Sequence, residues 1–201
     1  MQKNESPEDK IERLDFLDES ITKCDKCPLC DERKNAMIGS GTFRANLLLV
    51  RDYPEYEEDR TGNAWSSPLG RLFEKLLRAA NIHTNKIYVT YLVHCRPQDN
   101  KLMANDVKSC KDYLTELINI LSPAVVAICG RKVLHHFLGA NKKISDTHGK
   151  FFKKQINGKD ILIYPLNHPS GMIKFPMIKK KEMYRDLKTL FDKMLELKLE
   201  C

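Results

Sequence analysis

The chain has 201 residues, 42% of them hydrophobic, which is enough for one hydrophobic core of ordinary size. No apolar run approaches the roughly 20 residues of a membrane span, and the first twenty residues are acidic and polar where a signal peptide is basic and then apolar. We therefore exclude secreted and membrane classes. We expect one domain over residues 1–201, with a polar lead-in at 1–19, in a monomeric cytoplasmic protein.

The charge is unevenly distributed. The formal net charge is +7 and the pI is near 9.0, which permits a polyanionic partner without requiring one. Acidic residues concentrate at the N-terminus and at 55–59, whereas lysines cluster at Lys142, Lys143, Lys150, Lys153, Lys154, Lys159 and 179–181. This asymmetry is typical of a nucleic-acid-binding face. A lysine-rich surface that only maintains solubility is the alternative.

Four cysteines form the first motif. Cys24 and Cys27 stand in a Cys-x-x-Cys pair, and Cys95 with Cys110 forms a second, distant pair. Together they supply the four thiolates that one [4Fe–4S] cluster needs, and a shared cluster would tie an N-terminal arm to a central loop. Zinc binds the same donor set. A redox dithiol is less compatible with Pro28 and with the lack of a preceding strand. Cys30 is a further candidate ligand.

Strand and helix patterns alternate along the rest of the chain. Buried strands are predicted at 46–50, 87–93, 124–129 and 161–164; amphipathic helices are predicted at 69–80, 105–121, 132–138 and 180–197. Gly139 is expected to end the third helix. This alternation predicts an α/β fold with a mostly parallel four-stranded sheet. Ligands bind outside the carboxyl ends of such strands, which points to residues 51–54, 91–96, 130–131 and 167–170.

Read in order, these segments resemble the uracil-DNA glycosylase superfamily, and most closely its iron–sulfur branch, family 4. The resemblance runs from Cys24 to Leu190 and rests on several motifs in sequence. They are Cys24-x-x-Cys27-Pro-Leu followed by Arg33, the turn at Pro54, Glu58-Asp59 leading to Gly62, Gly70 before a Leu-rich helix, Tyr88-Val-Thr leading to Cys95-Arg-Pro, Cys110, Ser122-Pro to Gly130-Arg131, Leu138-Gly139, and His168-Pro-Ser. The resemblance implies a three-layer α/β/α sandwich, a [4Fe–4S] cluster on Cys24, Cys27, Cys95 and Cys110, and hydrolysis of an N-glycosidic bond in DNA.

Two residues are the candidate catalytic groups. Breaking the bond places positive charge on the sugar and negative charge on the departing base, so the site needs an anion and a hydrogen-bond donor. The resemblance implies that Asp52, where family 4 carries glutamate, serves the sugar or positions water, and that His168 faces the base carbonyl. Asp52 as a turn-capping residue is the alternative. Ser170 is expected to hold a DNA phosphate.

The pocket departs from the family-4 motif. Residues 51–55 replace glycine-glutamate-alanine-proline-glycine with bulkier residues, so that Tyr53 joins the rim. Trp65 stands for a stacking phenylalanine, Ser66 and Ser67 add hydroxyls, and Tyr91 stands for the asparagine that reads uracil. A phenol cannot reproduce the donor–acceptor edge of an amide. Tyr91 as a core residue and Trp65 as a surface anchor are the alternatives.

These departures favour a larger, more polar base than uracil, such as a hydroxymethylated or glucosylated pyrimidine of modified phage DNA, and hence a role in antiviral defence. Conventional uracil repair and a catalytically inactive DNA-binding module are the alternative functions. DNA contacts are expected from the segment around His148-Gly149, which matches an arginine-glycine stretch of the family, and from the neighbouring lysines Lys142, Lys143, Lys150, Lys153 and Lys154.

Overall fold

The computed structural model describes residues 6–174 and 176–201. The helices are α1 (Pro7–Thr22), α2 (Tyr56–Thr61), α3 (Pro68–Ala79), α4 (Ala104–Leu121), α5 (Arg131–Leu138), α6 (Ile144–Thr147), α7 (Gly171–Lys174) and α8 (Pro176–Glu196), with a 3₁₀ turn at Pro28–Cys30. The strands are β1 (Ser40–Gly41), β2 (Leu47–Arg51), β3 (Tyr88–Tyr91), β4 (Val125–Cys129), β5 (Phe152–Ile156) and β6 (Lys159–Leu166).

The strands of the described residues form one six-stranded sheet in the order β1-β3-β2-β4-β6-β5. The four central strands are parallel, and β1 and β5 pair antiparallel at the two edges. Because β2 and β6 both neighbour β4, the loops that follow these three strands meet at the same edge of the sheet. We call it the carboxyl edge.

Helices cover both faces of the sheet. One face packs against α1, α4 and α5 through residues such as Leu48, Val50 and Ile128. The other packs against α3 and α8 through residues such as Leu49 and Tyr164. Strands buried on both faces read as continuous apolar runs, which is why the four central strands are visible in the sequence. The predicted three-layer α/β/α sandwich is confirmed.

Local signals fix where the helices begin and end. Ser6 and Asp9 form a capping box at the start of α1. Ser67 caps α3 by accepting a hydrogen bond from the backbone N–H of Gly70 at 2.8 Å. Gly139 ends α5 with φ +96°. Within residues 6–174 and 176–201, no helix combines the length and apolar character needed to cross a membrane.

Candidate active site

Asp52 and His168 meet at the carboxyl edge although 116 residues separate them in sequence. Asp52 directly follows β2 and His168 lies two residues beyond β6. The distance from His168 Nε2 to Asp52 Oδ1 is 3.2 Å, and both side chains keep part of their surface exposed, 31% and 15% respectively. The structure therefore brings together the two residues that the sequence singled out as catalytic candidates.

Hydrogen bonds fix the tautomer of His168. The backbone N–H of Ser170 donates to His168 Nδ1 at 3.2 Å, and the Ser170 hydroxyl lies 2.7 Å from the same nitrogen. A nitrogen that accepts from a backbone N–H carries no proton in the neutral ring, so the proton lies on Nε2 and points toward Asp52. Ser170, predicted as a phosphate contact, thus also orients the imidazole.

Gly130 supports the ring of His168. Gly130 follows β4 with φ +94°, and a Cβ built on it would lie 3.1 Å from His168 Cδ2. Only a residue without a side chain adopts this backbone conformation and leaves that space to the imidazole. Gly130 was singled out in the sequence only as a residue after a strand; its role as a support was not predicted.

The predicted rim residues divide into two groups. Tyr53, Trp65 and Ser66 are partly exposed near the carboxyl edge, and Tyr53 donates its hydroxyl to the carbonyl of Asn100 at 3.0 Å. Ser67 and Tyr91 are buried instead, at 1% and 0% exposure. A direct contact of either buried residue with a base stays a prediction, since both hydroxyls already have partners inside the protein.

The partners of the buried Ser67 and Tyr91 hydroxyls are Arg51 and Glu58. The sequence did not predict this role for either residue. We call Arg51, Glu58, Ser67 and Tyr91 the Arg51 cluster. Arg51 Nη1 donates to Glu58 Oε1 at 2.7 Å, to the Ala64 carbonyl at 3.0 Å and to the Tyr91 hydroxyl at 3.3 Å. The Tyr91 hydroxyl donates to Glu58 Oε2 at 3.0 Å, and the Ser67 hydroxyl donates to Glu58 Oε1 at 2.9 Å.

The Arg51 cluster is an ion pair enclosed in the protein interior. Arg51 is 3% exposed and Glu58 is 0% exposed. Burial opposes the charge of Arg51, but the neighbouring Tyr91 and Glu58 hold the pKa of the guanidinium above its ordinary value. Burial also raises the pKa of Tyr91, so its phenol stays protonated and can donate. An arginine that ends an apolar strand is the sequence signal that could have revealed the cluster.

A second site lies where α1 and α4 approach the end of β3. Five cysteines line one small pocket there together with Arg33, His94 and Tyr113; they are Cys24, Cys27, Cys30, Cys95 and Cys110. Arg33 Nη1 donates to Cys95 Sγ at 3.2 Å. Burial raises the pKa of Cys110 to about 12, so the Cys110 thiol stays protonated unless a cation replaces its proton.

The pocket fits a thiolate-bound group by its donor set. The four predicted ligands reach the pocket from three separate segments of the chain. The backbone N–H of His94 hydrogen-bonds to Cys110, which lowers the pKa of that thiol and so opposes the effect of burial. The ring Nδ1 of His94 donates to the Met37 carbonyl at 2.8 Å, while its Nε2 is buried and has no hydrogen-bond partner among the described residues. In the described ranges, no three His, Cys, Asp or Glu side chains are arranged around a single-ion site. Cys30 also lines the pocket.

The predicted DNA-binding residues lie on and before the segment that enters β5. Gly149 donates its N–H to the carbonyl of Pro165 at 3.0 Å, which places it at the carboxyl edge. The neighbouring His148 Nδ1 lies 2.7 Å from Asp186 Oδ2 of α8. Lys142 and Lys143 are exposed, and exposed Lys150 bonds the carbonyl of Asp146. Lys154 is instead turned onto the ring and carbonyl of Phe137.

Comparison with known proteins decides the family. Residues 38–188 match the family described as the uracil DNA glycosylase superfamily. The chain belongs to this superfamily. It is 31% identical to a type-4 uracil-DNA glycosylase of Saccharolobus solfataricus, with 89% of this chain and 86% of that protein covered. It is 30% identical to the type-4 uracil-DNA glycosylase of Pyrobaculum aerophilum (89% and 93%) and 29% identical to that of Thermotoga maritima (81% and 84%).

Membership in the uracil DNA glycosylase superfamily confirms the predicted enzyme class, a DNA glycosylase that hydrolyses an N-glycosidic bond. The match covers Asp52, the Arg51 cluster, Gly130 and His168. The Cys24–Cys27 pair lies before the residues matched to the family, although the alignments with the relatives extend over most of the chain.

Proposed function

We propose that this DNA glycosylase releases a modified pyrimidine, such as a hydroxymethylated or glucosylated base, and leaves an abasic site in DNA. The observation that carries the proposal is the contact between Asp52 and His168 at the carboxyl edge, beside a rim formed by Tyr53, Trp65 and Ser66. This arrangement supplies an anion, a donor and aromatic faces at one edge of the sheet. The substrate DNA must present its base extruded from the stack.

The two catalytic candidates act on opposite ends of the breaking bond. As the bond from the sugar C1′ to the base nitrogen opens, its electron pair leaves with the base and the sugar becomes cationic. Asp52 stabilises that cation or orients the water that adds to C1′. The Nε2–H of His168 turns its hydrogen bond from Asp52 to the base oxygen, where it supports the developing negative charge. Because Nδ1 accepts from the backbone N–H of Ser170, Nε2 is the nitrogen that carries the proton offered to the base.

Aromatic faces at the rim support a base larger than uracil. Trp65 is partly exposed and offers a wide stacking surface, and stacking on aromatic side chains accepts many base types. The Tyr53 and Ser66 hydroxyls donate to the carbonyls of Asn100 and Asn63 at 3.0 and 2.9 Å, so toward a polar substituent they can act as acceptors. We extend the proposal to a role in defence against phage whose DNA is modified. We also propose that the protein acts as a monomer in the cytoplasm.

Conventional uracil repair is the second candidate, and the names of the relatives favour it. A single assay separates the candidates. Purified protein is incubated with DNA carrying uracil, hydroxymethyluracil, hydroxymethylcytosine or glucosylated hydroxymethylcytosine, and abasic sites are counted after alkaline cleavage. Fastest release of one of the modified bases supports the proposal. Fastest release of uracil supports repair, and release of nothing supports an inactive DNA-binding module.

We also propose that Cys24, Cys27, Cys95 and Cys110 hold a [4Fe–4S] cluster, with zinc as the alternative occupant. When bound, the group would supply strong metal–thiolate bonds that hold three segments of the chain together. Cys24 and Cys27 follow α1, Cys95 follows β3 and Cys110 lies in α4. The residues of the pocket therefore serve the fold, and the base is handled at the carboxyl edge.

A further inference from the structure

We infer that the Arg51 cluster determines which base the site accepts, because it fills the inner end of the base pocket and denies edge contacts there to an unsubstituted pyrimidine. The inference rests on the proposed function, since it concerns the substrate of that same site. According to this inference, a buried ion pair together with Tyr91 determines the choice of base, and Tyr91 does not determine it alone.

The position of the cluster supports this assignment. Arg51 and Tyr91 are register partners at the last positions of β2 and β3, and ligands of such sheets bind just beyond those ends. Arg51 immediately precedes Asp52. Its third acceptor is the carbonyl of Ala64, the residue before Trp65. The cluster therefore forms the floor beneath a catalytic candidate and the largest aromatic ring of the rim.

The floor is full. Arg51, Glu58, Ser67 and Tyr91 are each at most 3% exposed. Glu58 accepts hydrogen bonds from Arg51, Ser67, Tyr91 and the backbone N–H of Glu55, the last at 3.0 Å. Even at Gly70 an added Cβ would lie 3.0 Å from Glu58 Oε1. The Tyr91 hydroxyl lies 3.3 Å from Arg51 Nη1 and 3.0 Å from Glu58 Oε2, so a base that bonds to it must compete with these partners.

The chemistry of the cluster explains the selection. Reading a pyrimidine edge needs a free donor and a free acceptor side by side. Here the donor of Tyr91 and Nη1 of Arg51 are already used on Glu58, a buried carboxylate that would lose its cationic partner and one of its neutral donors if they turned to a base. A pyrimidine is therefore held nearer the rim, by stacking and by contacts to its substituent.

Two variants test the inference. Arg51→Gly combined with Glu58→Gln removes both charges and opens the floor. Arg60→Gly combined with Glu57→Gln is the matched control, because it removes an exposed ion pair of 2.8 Å from the same helix. Each is built with and without Asp52→Ala. The Asp52→Ala set reports binding without cleavage through fluorescence of Trp65, the sole tryptophan of the chain; the other set reports uracil release.

We expect the opened variant to bind a uracil duplex at least tenfold more tightly and to release uracil at least tenfold faster than the parent does, while the control pair changes neither. A folded opened variant that gains neither property would overturn the inference. If the variant does not fold, the parent carrying only Asp52→Ala decides: weaker binding of a uracil duplex than of a hydroxymethyluracil duplex supports a blocked floor, and equal or tighter binding of the uracil duplex refutes it.

The proposed function fails separately, since it requires that the unaltered protein release a modified pyrimidine. A protein that releases no modified base but gains uracil binding when the floor is opened would refute the substrate proposal and leave the blocking role of the Arg51 cluster standing.

Discussion

Asp52 and His168, the proposed catalytic pair, can each be removed without disturbing the core. Both are partly exposed, so their replacement by alanine leaves no buried cavity. We expect Asp52→Ala and His168→Ala each to slow base release about 100-fold or more with nearly unchanged DNA affinity, because their contacts strengthen in the transition state. Single-turnover cleavage and fluorescence anisotropy measure the two quantities. His83→Ala, at an exposed position before β3, serves as the control; a tenfold loss of affinity in the Asp52 or His168 variant would contradict this assignment.

A substitution at Gly130 tests whether the imidazole of His168 needs the space that this glycine leaves. Alanine at Gly130 must adopt a φ of +94° and would press its Cβ against His168 Cδ2. Gly158 is the matched control because it has φ +79° and open space around the built Cβ. Each change should cost about 1 kcal/mol of folding stability from backbone strain, but only Gly130→Ala should also lower the rate of base release. Equal rates in the two variants would show that the imidazole needs no such support.

The residues show how far sequence reasoning reaches. The resemblance to family 4 and the convergence of residues after parallel strands both pointed to Asp52 and His168. The structure places the two side chains together, and their catalytic roles stay predictions. The burial of Tyr91 was not found, because it depends on the cross-strand neighbour Arg51 and on Glu58 from a separate helix. Strand-end residue types alone do not reveal whether a side chain turns to solvent or to a partner that arrives from elsewhere.

At the scale of elements, the cysteine pocket joins α1 and α4 to the end of β3. We expect purified protein to contain iron and sulfide and to absorb broadly in the visible range. Cys95→Ser and Cys24→Ser should each lose iron and solubility, since metal binding and folding are coupled. Cys129→Ser is the control, because Cys129 is buried in the opposite core.

Metal analysis decides the occupant of this pocket. Stoichiometric zinc in colourless protein would refute the cluster, and full iron content in Cys24→Ser would refute the ligand set. Full iron content in Cys30→Ser, with loss of iron in Cys24→Ser and Cys95→Ser, would place Cys30 outside the set.

The elements were predicted unequally. The four central strands and the helices α3, α4, α5 and α8 follow from apolar runs and helical periodicity. The edge strands were missed for physical reasons: β1 has two exposed residues, and β5 alternates half-buried with exposed positions and carries two lysines that read as a DNA-binding face. Tertiary pairing with β6, rather than hydrophobicity, makes β5 a strand.

At the scale of the whole molecule, the positive charge is expected to bind DNA by counterion release. Replacing Lys142, Lys143 and Lys150 by glutamine should weaken binding and reduce the slope of log affinity against log salt by about 2.7, since each phosphate contact contributes about 0.9. The control variant replaces Arg44, Lys86 and Lys159 by glutamine. Arg44 and Lys86 precede β2 and β3, and Lys159 is the first residue of β6, so all three lie at the opposite edge of the sheet. Similar slopes in the two triple variants would mean that the Lys142 group is only a solubilising surface.

The position of β4 between β2 and β6 has a consequence for folding. Asp52 follows β2 and His168 follows β6, and the fully buried strand β4 lies between these two strands. The two side chains therefore meet only when three strands that are distant in sequence have assembled. Such long-range pairing makes assembly slow compared with helix formation. Intermediates with formed helices but an incomplete sheet therefore have no catalytic activity, and the amides of β4 should be the last to exchange with deuterium. Base release is therefore expected only from molecules whose sheet is complete.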